Sequence, residues 1–235
     1  MCTKTMYVCI FVLTISNLIL CPSLKSAETI NLPQPSYKST TSVEEALQDR
    51  RSRREFDDDK LQLSQISQIL WSAYGITKPM PNAPDFLRGG FKTAPSAGAR
   101  YPLEIYVLAH NVEGLERGIY KFKVAEHELT LVKKGSFMEQ LVSASYNQSW
   151  IGEAAAAIIY TAVYERISER YGERGRERYV CMDLGHSAQN IYLQCESLNL
   201  STCAVGAFND SKVGELFEIK DKETPLYIMP LGKRK

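Results

Sequence analysis

Apolar residues recur every three or four positions in several stretches of the chain, which is the spacing of amphipathic helices. The first stretch begins at Ser42, and Glu45 three residues later predicts a capping box at the helix start. A second begins at Ser64 and stops before Gly75, a residue type that commonly follows a helix. The predicted helices are one that begins at residue 42 and others over residues 64–74, 137–144, 179–199 and 210–217.

Other stretches alternate apolar and polar residues or are continuously apolar, and both patterns predict β-strands. The continuous run over residues 158–163 predicts a buried central strand, and residues 124–127 separate the two strands of a predicted hairpin. Residues 78–90 hold three prolines and two glycines and predict a loop, while the charged residues 165–178 predict a solvated helix or loop. The predicted strands are residues 104–109, 118–122, 128–132, 158–163 and 226–229, followed by a basic tail over residues 230–235.

Helices and strands mix along the chain without the regular alternation of a doubly wound parallel sheet, so the sequence predicts the α+β class. The chain has 235 residues, of which 44% are hydrophobic and 23% charged. This composition is globular, and we predict one domain over residues 42–235. The formal net charge of +1 gives no support for nucleic-acid binding.

The first residues follow a different pattern from the rest of the chain. An apolar run over residues 6–20 is short for a membrane span and typical of a secretory signal. We therefore predict that residues 1–27 form a signal peptide or membrane leader, cleaved after Cys21 or near Ala27. Residues 28–41 are predicted to be an extended arm or linker. The predicted location is exported, either periplasmic or membrane-tethered through an uncleaved or lipidated leader, with a cytoplasmic location as the alternative.

Cysteine and histidine residues give no metal signal. Outside the predicted leader the cysteines are Cys181, Cys195 and Cys203, which have no CxxC spacing and are interpreted as small buried apolar residues. His186 lies on the longest predicted helix without a second ligand nearby, so we interpret it as packed or hydrogen-bonded. No metal site is predicted.

A cluster of arginines lies between the first two predicted helices, in the order Arg50-Arg51-Ser52-Arg53-Arg54. The arginines are not interleaved with acids at helical spacing, so they do not neutralise one another in place. Forked guanidinium donors beside a short hydroxyl group are a combination that binds anions, phosphate in particular. The alternative interpretation is a solvated charge run between two helices.

A turn rich in small residues precedes the strand predicted over residues 104–109. Its central residues are Pro95, Ser96, Ala97 and Gly98, with no bulky side chain among them. Such a turn allows the backbone to approach a planar ligand closely. It is equally compatible with an ordinary tight turn.

Four sequence blocks together carry a resemblance to a known family. They are the Arg-Arg-Ser-x-Arg block, Pro95-Ser96-Ala97-Gly98-Ala99-Arg100-Tyr101-Pro102-Leu103-Glu104, Gly185-His186-Ser187-Ala188-Gln189-Asn190, and Cys203-Ala204-Val205-Gly206-Ala207-Phe208 with the closing Pro230-Leu231-Gly232. In this order, over about residues 43–232, the sequence resembles the nitroreductase-like FMN oxidoreductases and looks most like the SagB-type branch. The resemblance implies an α+β fold with a central mixed sheet flanked by helices. It also implies a homodimer that binds FMN between its subunits, and the apolar face over residues 180–198 is the candidate interface.

The resemblance also implies roles for twelve residues. The arginine block would hold the phosphate, the ribityl chain and the N1/O2 edge of the flavin, and its third arginine, Arg53, falls at a variable position. The small-residue turn would lie against the flavin and its phosphate end, a second turn would face N5, and the C-terminal basic residues would donate to the phosphate. The residues are Arg50, Arg51, Ser52 and Arg54, then Pro95, Ser96, Ala97 and Gly98, then Gly206 and Ala207, and finally Lys233 and Arg234.

The function implied by the resemblance is two-electron oxidoreduction in alternating half-reactions, with NAD(P)H or another donor and a small or peptide-borne acceptor. The flavin carries the chemistry, and the family shares no catalytic acid–base side chain, so none is predicted here. Two alternatives stay open: a flavin-binding or structural surface protein without turnover, and an azoline dehydrogenase of modified-peptide biosynthesis. Azoline-oxidising members are expected to carry a Lys-Tyr pair, of which Arg178-Tyr179 is the nearest analogue in this chain.

Overall fold

The computed structural model describes residues 28–82, 84–220 and 222–235. The predicted leader lies outside this part of the chain. The helices are α1 (Val43–Asp49), α2 (Leu63–Tyr74), α3 (Met138–Ala144), α4 (Glu165–Arg174), α5 (Val180–Ser197) and α6 (Asp210–Leu216). The strands are β1 (Thr29–Asn31), β2 (Phe56–Asp57), β3 (Leu61–Gln62), β4 (Ile76–Pro79), β5 (Gly90–Lys92), β6 (Leu103–Ala109), β7 (Val112–Glu113), β8 (Gly118–Lys123), β9 (Glu128–Lys134), β10 (Ala156–Ala162), β11 (Leu200–Thr202) and β12 (Thr224–Arg234).

An eight-stranded sheet forms the centre of the fold, in the order β1-β9-β8-β6-β10-β12-β11, with β2 paired to the end of β12. Every described pair in this sheet is antiparallel. The α+β class is confirmed, but the expectation of a mixed central sheet is not met. Within the described residues, parallel pairing is confined to the separate two-stranded sheet of β3 and β7.

Helices cover both faces of this sheet. On one face, α2 and α5 pack over residues such as Ile105 and Ile158, and on the other, α3 and α6 pack over Tyr106 and Ile159. Successive strand residues point to opposite faces, so β10, with both faces covered, is buried along its whole length. This explains why its sequence is a continuous apolar run rather than an alternating one.

Several predicted boundaries differ from the structure. Helix α2 begins at Leu63, one residue before the predicted start, and the Gln65 side chain accepts a hydrogen bond from the N–H of Gln62 at 3.0 Å. The loop predicted over residues 78–90 connects β4 to β5, and its end residues 78, 79 and 90 belong to these two strands, which pair as a hairpin. The predicted basic tail is also wrong, because residues 230–234 belong to β12.

The arm over residues 28–41 is anchored to the domain rather than being a free linker. Strand β1 pairs with β9, and Leu32 is buried in the core. The Gln68 side chain accepts from the N–H of Ser36 at 2.8 Å and donates to its carbonyl at 3.0 Å. Within the described residues, no helix has both the length and the apolar character to cross a membrane.

Three sequence interpretations of α5 and of the cysteines need correction. The apolar face that was the candidate dimer interface packs against α2 inside the chain, with Ile191 among its buried residues. Cys195 and Cys203 are buried as expected, whereas Cys181 is exposed. His186 is also exposed. The homodimer stays a prediction, but it needs a different contact surface.

Candidate functional site

The arginine block connects α1 to β2, the short strand that pairs with the C-terminal end of β12. Helix α1 is capped as predicted, since Ser42 accepts from the N–H of Glu45 and Glu45 accepts from the N–H of Ser42. After this helix ends, the N–H of Arg53 donates to the carbonyl of Thr202 in β11 at 2.9 Å. Phe56 then pairs with Arg234 in β12. These backbone contacts fix the position of the whole block.

A buried carboxylate neutralises one arginine of the block. The side chain of Glu196 on α5 is 4% exposed. One of its carboxylate oxygens accepts a hydrogen bond from the Arg53 guanidinium, which makes an ion pair. Its second oxygen accepts from Arg234 at 2.6 Å. The N–H of Arg51 also reaches the first oxygen, at 3.4 Å. The family resemblance places Arg53 at a variable position, but in this chain Arg53 has a structural role.

The other three arginines have no ion pair with a carboxylate of the described residues. The Arg50 guanidinium lies over the Tyr192 ring at 5.4 Å, and that of Arg54 lies over the Trp150 ring at 5.6 Å. Arg51 donates to the backbone carbonyl of Arg50 at 2.8 Å. These contacts orient the guanidinium groups without cancelling their charge, so each of the three remains a cation able to attract an anion.

A tyrosine hydroxyl joins the arginine block to the second small-residue turn. The Tyr192 hydroxyl lies 3.1 Å from the Ser52 hydroxyl and accepts from the N–H of Ala204 at 2.7 Å. The turn that follows is fixed by the Val205–Ile228 bridge and by a hydrogen bond from the Gln148 side chain to the Ala207 carbonyl at 3.0 Å. The structure thus brings two predicted groups together although they lie far apart in the sequence.

The exposed centre of that turn holds the predicted residues Gly206 and Ala207. A Cβ placed on Gly206 would meet its nearest neighbour, the Tyr227 ring, at 3.6 Å, which is an ordinary van der Waals contact. The fold of this chain therefore does not require glycine at this position. We therefore predict that a side chain at this position affects the ligand rather than the fold.

The turn with Pro95 and Gly98 lies beside the N-terminal half of α5. Gly98 has φ +61°, and a Cβ there would come within 2.5 Å of the Tyr171 hydroxyl oxygen, so this position requires glycine. The N–H of Ala97 donates to Asp183 at 3.4 Å, and the Ser96 hydroxyl accepts from the N–H of Tyr101 at 2.8 Å.

Asp183 supports this turn from inside the protein. The residue is 1% exposed, and its second carboxylate oxygen has no hydrogen-bond partner within the described residues. Burial raises the pKa of Asp183 to about 6, although hydrogen bonds from Ser96 and Ala97 oppose the shift. A buried carboxyl group with this pKa is a recurrent feature of functional sites.

Three side chains of one helix therefore hold the predicted blocks, and the sequence analysis singled out none of them. They are Asp183, Tyr192 and Glu196, and the first and last of them are separated by about 20 Å of helix rise. Asp183 did carry a signal, because it falls on the buried face of α5 between Val180 and Leu184. For Tyr192 and Glu196 the sequence offered none, since a helix with many half-buried positions places polar residues there routinely.

The predictions for the C-terminal basic residues stay predictions. Lys233 is half-buried, and its backbone is paired with Leu200 and with Asp57. Arg234 donates to Glu196 and, at 3.3 Å, to the carbonyl of Leu200, so part of its hydrogen-bonding capacity is used within the chain. Its Nε atom is buried without a partner among the described residues.

The predicted site is an open surface rather than a closed pocket in the single chain. Two clefts lie elsewhere, one of about 500 Å³ beneath the arm beside Trp71 and another of about 560 Å³ beside Arg166. Neither cleft is lined by any of the twelve predicted residues. Arg51, Ser52, Arg54 and Ala207 are all exposed.

Comparison with known proteins identifies the family. The family model described as "Nitroreductase family" matches residues 47–233 of the chain. A protein of Methanocaldococcus jannaschii described as a nitroreductase, MJ1384, is 43% identical over 192 residues, which cover 82% of this chain and 91% of that protein. The chain belongs to the nitroreductase family. The family consists of flavoprotein oxidoreductases, and this chain is accordingly an oxidoreductase with the fold that the sequence predicted.

Three further proteins are similar to this chain in fold or in sequence. A crystal structure of a protein from Ralstonia eutropha, also described as a nitroreductase, is 28% identical with a TM-score of 0.74, covering 88% of this chain and 90% of that one. The Escherichia coli microcin synthetase McbBCD complex shares the fold, with a TM-score of 0.65 and 23% identity over 87% of this chain and 77% of the matched chain. The trifolitoxin-processing protein TfxB of Rhizobium leguminosarum bv. trifolii is 34% identical over 113 residues, 46% of this chain and 30% of that protein.

Proposed function

We propose that this member of the nitroreductase family is an FMN-dependent oxidoreductase that transfers two electrons as a hydride in alternating half-reactions. One observation carries the proposal: the Ser52 hydroxyl is joined through Tyr192 to the exposed turn at Gly206, and the three arginines around Ser52 have no carboxylate partner among the described residues. Guanidinium groups and a hydroxyl fit a phosphate, and the turn without a bulky side chain fits a planar ring.

In the proposed site, different residues of the arginine block would bind different parts of FMN. Arg50, Arg51 and Ser52 would bind the phosphate and ribityl chain, and Arg54 would place positive charge near the N1/O2 edge of the ring. Bound FMN would supply the hydride acceptor and donor at its N5 atom. Because reduced flavin carries negative charge at N1/O2, a fixed cation there favours the reduced form. Trp150 keeps the Arg54 guanidinium oriented without neutralising it.

The openness of the site supports a homodimer in which a second copy completes each flavin site. A single chain leaves Arg51, Arg54 and Ala207 exposed, although an oxidoreductase benefits from a site that excludes water. We expect the mature protein to sediment as a dimer when dilute, measured by analytical ultracentrifugation of FMN-loaded protein. A stable monomer saturated with FMN would refute this part of the proposal.

The acceptor class is proposed from one relative. Similarity to the trifolitoxin-processing protein TfxB over 113 residues supports the SagB-type branch and a peptide-borne acceptor, with a small molecule as the alternative. For azoline oxidation the pair Arg178-Tyr179 would have to replace Lys-Tyr. Tyr179 closes a π-helical turn and accepts a hydrogen bond from the Nε of Arg174 at 3.0 Å. We place azoline oxidation second, because Arg178 is exposed and an arginine side chain does not act as a base.

The electron donor is proposed to be NAD(P)H or another hydride donor, and the protein is proposed to be exported through its leader. Export would favour a donor other than a nicotinamide, which is scarce outside the cytoplasm. Mass spectrometry of the protein from its native host tests the leader. An intact Met1 in a soluble cytoplasmic fraction would defeat export.

The simplest test of the proposed function is optical. Purified protein should be yellow, and NADPH should bleach it under anaerobic conditions, with recovery on addition of an oxidant. Colour without bleaching would indicate another donor or a flavin-binding protein without turnover. Failure to take up FMN at all would overturn the proposal.

A further inference from the structure

Tyr192 forms the middle of a short chain of hydrogen bonds between the two parts of the proposed FMN site. Its hydroxyl oxygen accepts from the N–H of Ala204 at 2.7 Å, and the same hydroxyl lies 3.1 Å from that of Ser52. Ser52 belongs to the arginine block, whereas Ala204 begins the turn that contains Gly206. Ser52 and Tyr192 are 140 positions apart in the sequence.

The direction of these hydrogen bonds follows from counting donors. A tyrosine hydroxyl has one proton to donate, and the Ala204 N–H already occupies its oxygen as an acceptor. If Tyr192 donates to Ser52, both of its roles are satisfied; if Ser52 donates instead, the Tyr192 proton has no partner among the contacts of the described residues. The arrangement with Tyr192 as donor leaves the proton of the exposed Ser52 hydroxyl free for a ligand.

In this arrangement each group donates to the next one: the Ala204 N–H donates to Tyr192, the Tyr192 hydroxyl donates to Ser52, and the Ser52 hydroxyl donates to a ligand. Hydrogen bonds in such a chain polarise one another, and an anion at its end strengthens every bond in it. The guanidinium of Arg50 over the Tyr192 ring adds positive charge at the same place. The chain is thus built to receive an anion at Ser52 and to transmit its presence to the backbone at Ala204.

We propose that Tyr192 is a positioning residue that couples phosphate binding at Ser52 to the turn over residues 204–207. The inference rests on the proposed function, since the anion is taken to be the FMN phosphate. It goes beyond that function by assigning to one hydroxyl the link between the phosphate end of the site and its redox end. A flavin that lacks the phosphate, such as riboflavin, leaves the chain without its anion.

The test is a double-mutant cycle on flavin affinity with Tyr192→Phe, Ser52→Ala and the double variant. Tyr192→Phe keeps the ring under Arg50 and removes only the hydroxyl group, and Ser52 is exposed, so its variant should fold. Each single change should weaken FMN binding about three- to tenfold. In the Tyr192→Phe background, Ser52→Ala should cost at least about twofold less than in the wild type, because directly contacting groups are coupled. Equal losses in both backgrounds would overturn the proposal.

Riboflavin separates coupling from a merely structural effect. Tyr192→Phe should lower the preference for FMN over riboflavin, whereas a variant that only loosens the fold should weaken both ligands alike. The matched control is Tyr160→Phe, which removes a buried hydroxyl that contacts a serine, Ser187, at 2.7 Å inside the core. The control should lower the melting temperature and leave the preference unchanged. An unchanged preference in Tyr192→Phe would contradict the coupling.

Failure of the proposed function can be told apart from failure of this inference. If the wild type binds no FMN, the proposed function is wrong. The same four proteins are then tested with inorganic phosphate, and the increase in melting temperature that phosphate causes is measured for each. Stabilisation that depends jointly on Tyr192 and Ser52 would support the hydrogen-bonded chain without any flavin. Stabilisation that is absent, or whose two losses are independent, would overturn it.

Discussion

The two ends of α5 carry two buried carboxylates in opposite electrostatic states. Glu196 has both oxygens paired, with Arg53 and Arg234, and fixes the arginine block. Asp183 holds the other predicted turn through hydrogen bonds from Ala97, at 3.4 Å, and from Ser96, and burial raises its pKa to about 6. Glu196 therefore stays ionised in its two ion pairs, whereas Asp183 can gain or lose a proton near pH 6.

The difference shows how one helix can hold two separate parts of the proposed site by different electrostatic means. The paired carboxylate anchors Arg53 and leaves Arg50, Arg51 and Arg54 available to an anion. Asp183, whose second oxygen has no hydrogen-bond partner among the described residues, lies behind the turn over residues 95–98, which the family resemblance places against the flavin.

The largest effect is expected at the paired end. Glu196→Gln should lower the free energy of unfolding by about 3 kcal/mol, because it leaves two partly buried guanidinium groups without their carboxylate. Urea denaturation measures this loss. The matched control is Glu116→Gln, which breaks an exposed ion pair with Lys134 and should cost less than about 1 kcal/mol. Equal losses in the two variants would show that the Glu196 junction is not structural.

At the other end, Asp183 should make stability depend on pH. Its folded pKa of about 6 lies above the ordinary value of 3.8. Folding therefore favours the neutral carboxyl, and this contribution is complete below pH 3.8 and lost as the pH rises to about 6. Relative to Asp183→Asn, the wild type should lose about 2–3 kcal/mol across this window and nothing further above it. Tyr74, Tyr101 and His186 also contribute to the local field, and the Asn variant keeps them unchanged.

The measurement is the free energy of unfolding of both proteins at intervals between pH 3.5 and 7.5, taken with the same denaturant. The difference between the two curves isolates Asp183 from every other titrating group. Parallel curves would show that Asp183 ionises as easily in the folded protein as in the unfolded chain.

The arginines should separate into two classes. Arg50→Ala should weaken FMN binding by roughly ten- to a hundredfold, since a charge-assisted contact to an anion contributes about 1.5–3 kcal/mol. Arg54→Ala should in addition make the bound flavin harder to reduce. Arg53→Ala should mainly lower stability, because it leaves Glu196 with one guanidinium fewer. Flavin titration, redox potentiometry and thermal melting of the three variants test this. If Arg53→Ala lowers affinity as much as Arg50→Ala without loss of stability, the two classes are wrong.

The smallest effects on stability compare the two glycines at the predicted flavin contacts. Gly98→Ala should cost about 1–2 kcal/mol, since alanine would occupy a left-handed conformation against Tyr171. Gly206→Ala should change stability by less than about 0.5 kcal/mol and still weaken FMN binding, because the fold leaves room for the methyl group and the ligand does not. Normal FMN affinity in Gly206→Ala would remove this turn from the site.

Local pattern was enough to predict most of the elements. The capping box at Ser42, the hairpin across residues 124–127 and the buried strand β10 follow from spacing over a few residues. The extent of β12 did not, because Pro230 is usually excluded from central strands. In the structure Pro230 lies between the last β11 pair at Leu231 and the bridge at Ile228, where that side of the strand is open.

The candidate site could be predicted only in part. The residues of the arginine block and the two turns were identified through the family resemblance. Their supports were not, because Tyr192 meets Ser52 across 140 positions and Glu196 meets Arg53 across 143. Contacts of this kind exist only after the sheet and α5 have packed. The assignment of Arg53 shows the consequence, since a position that is variable in a family can be structural in one member.

The central claim is that the arginine block binds the phosphate of a flavin mononucleotide. The most direct measurement is a titration of flavin-free wild-type protein with FMN and, in parallel, with riboflavin, which differs only by the phosphate. The account predicts that FMN binds at least about a hundredfold more tightly, the contribution of two or more charge-assisted contacts. Equal affinities for the two flavins, or no binding of either, would contradict it.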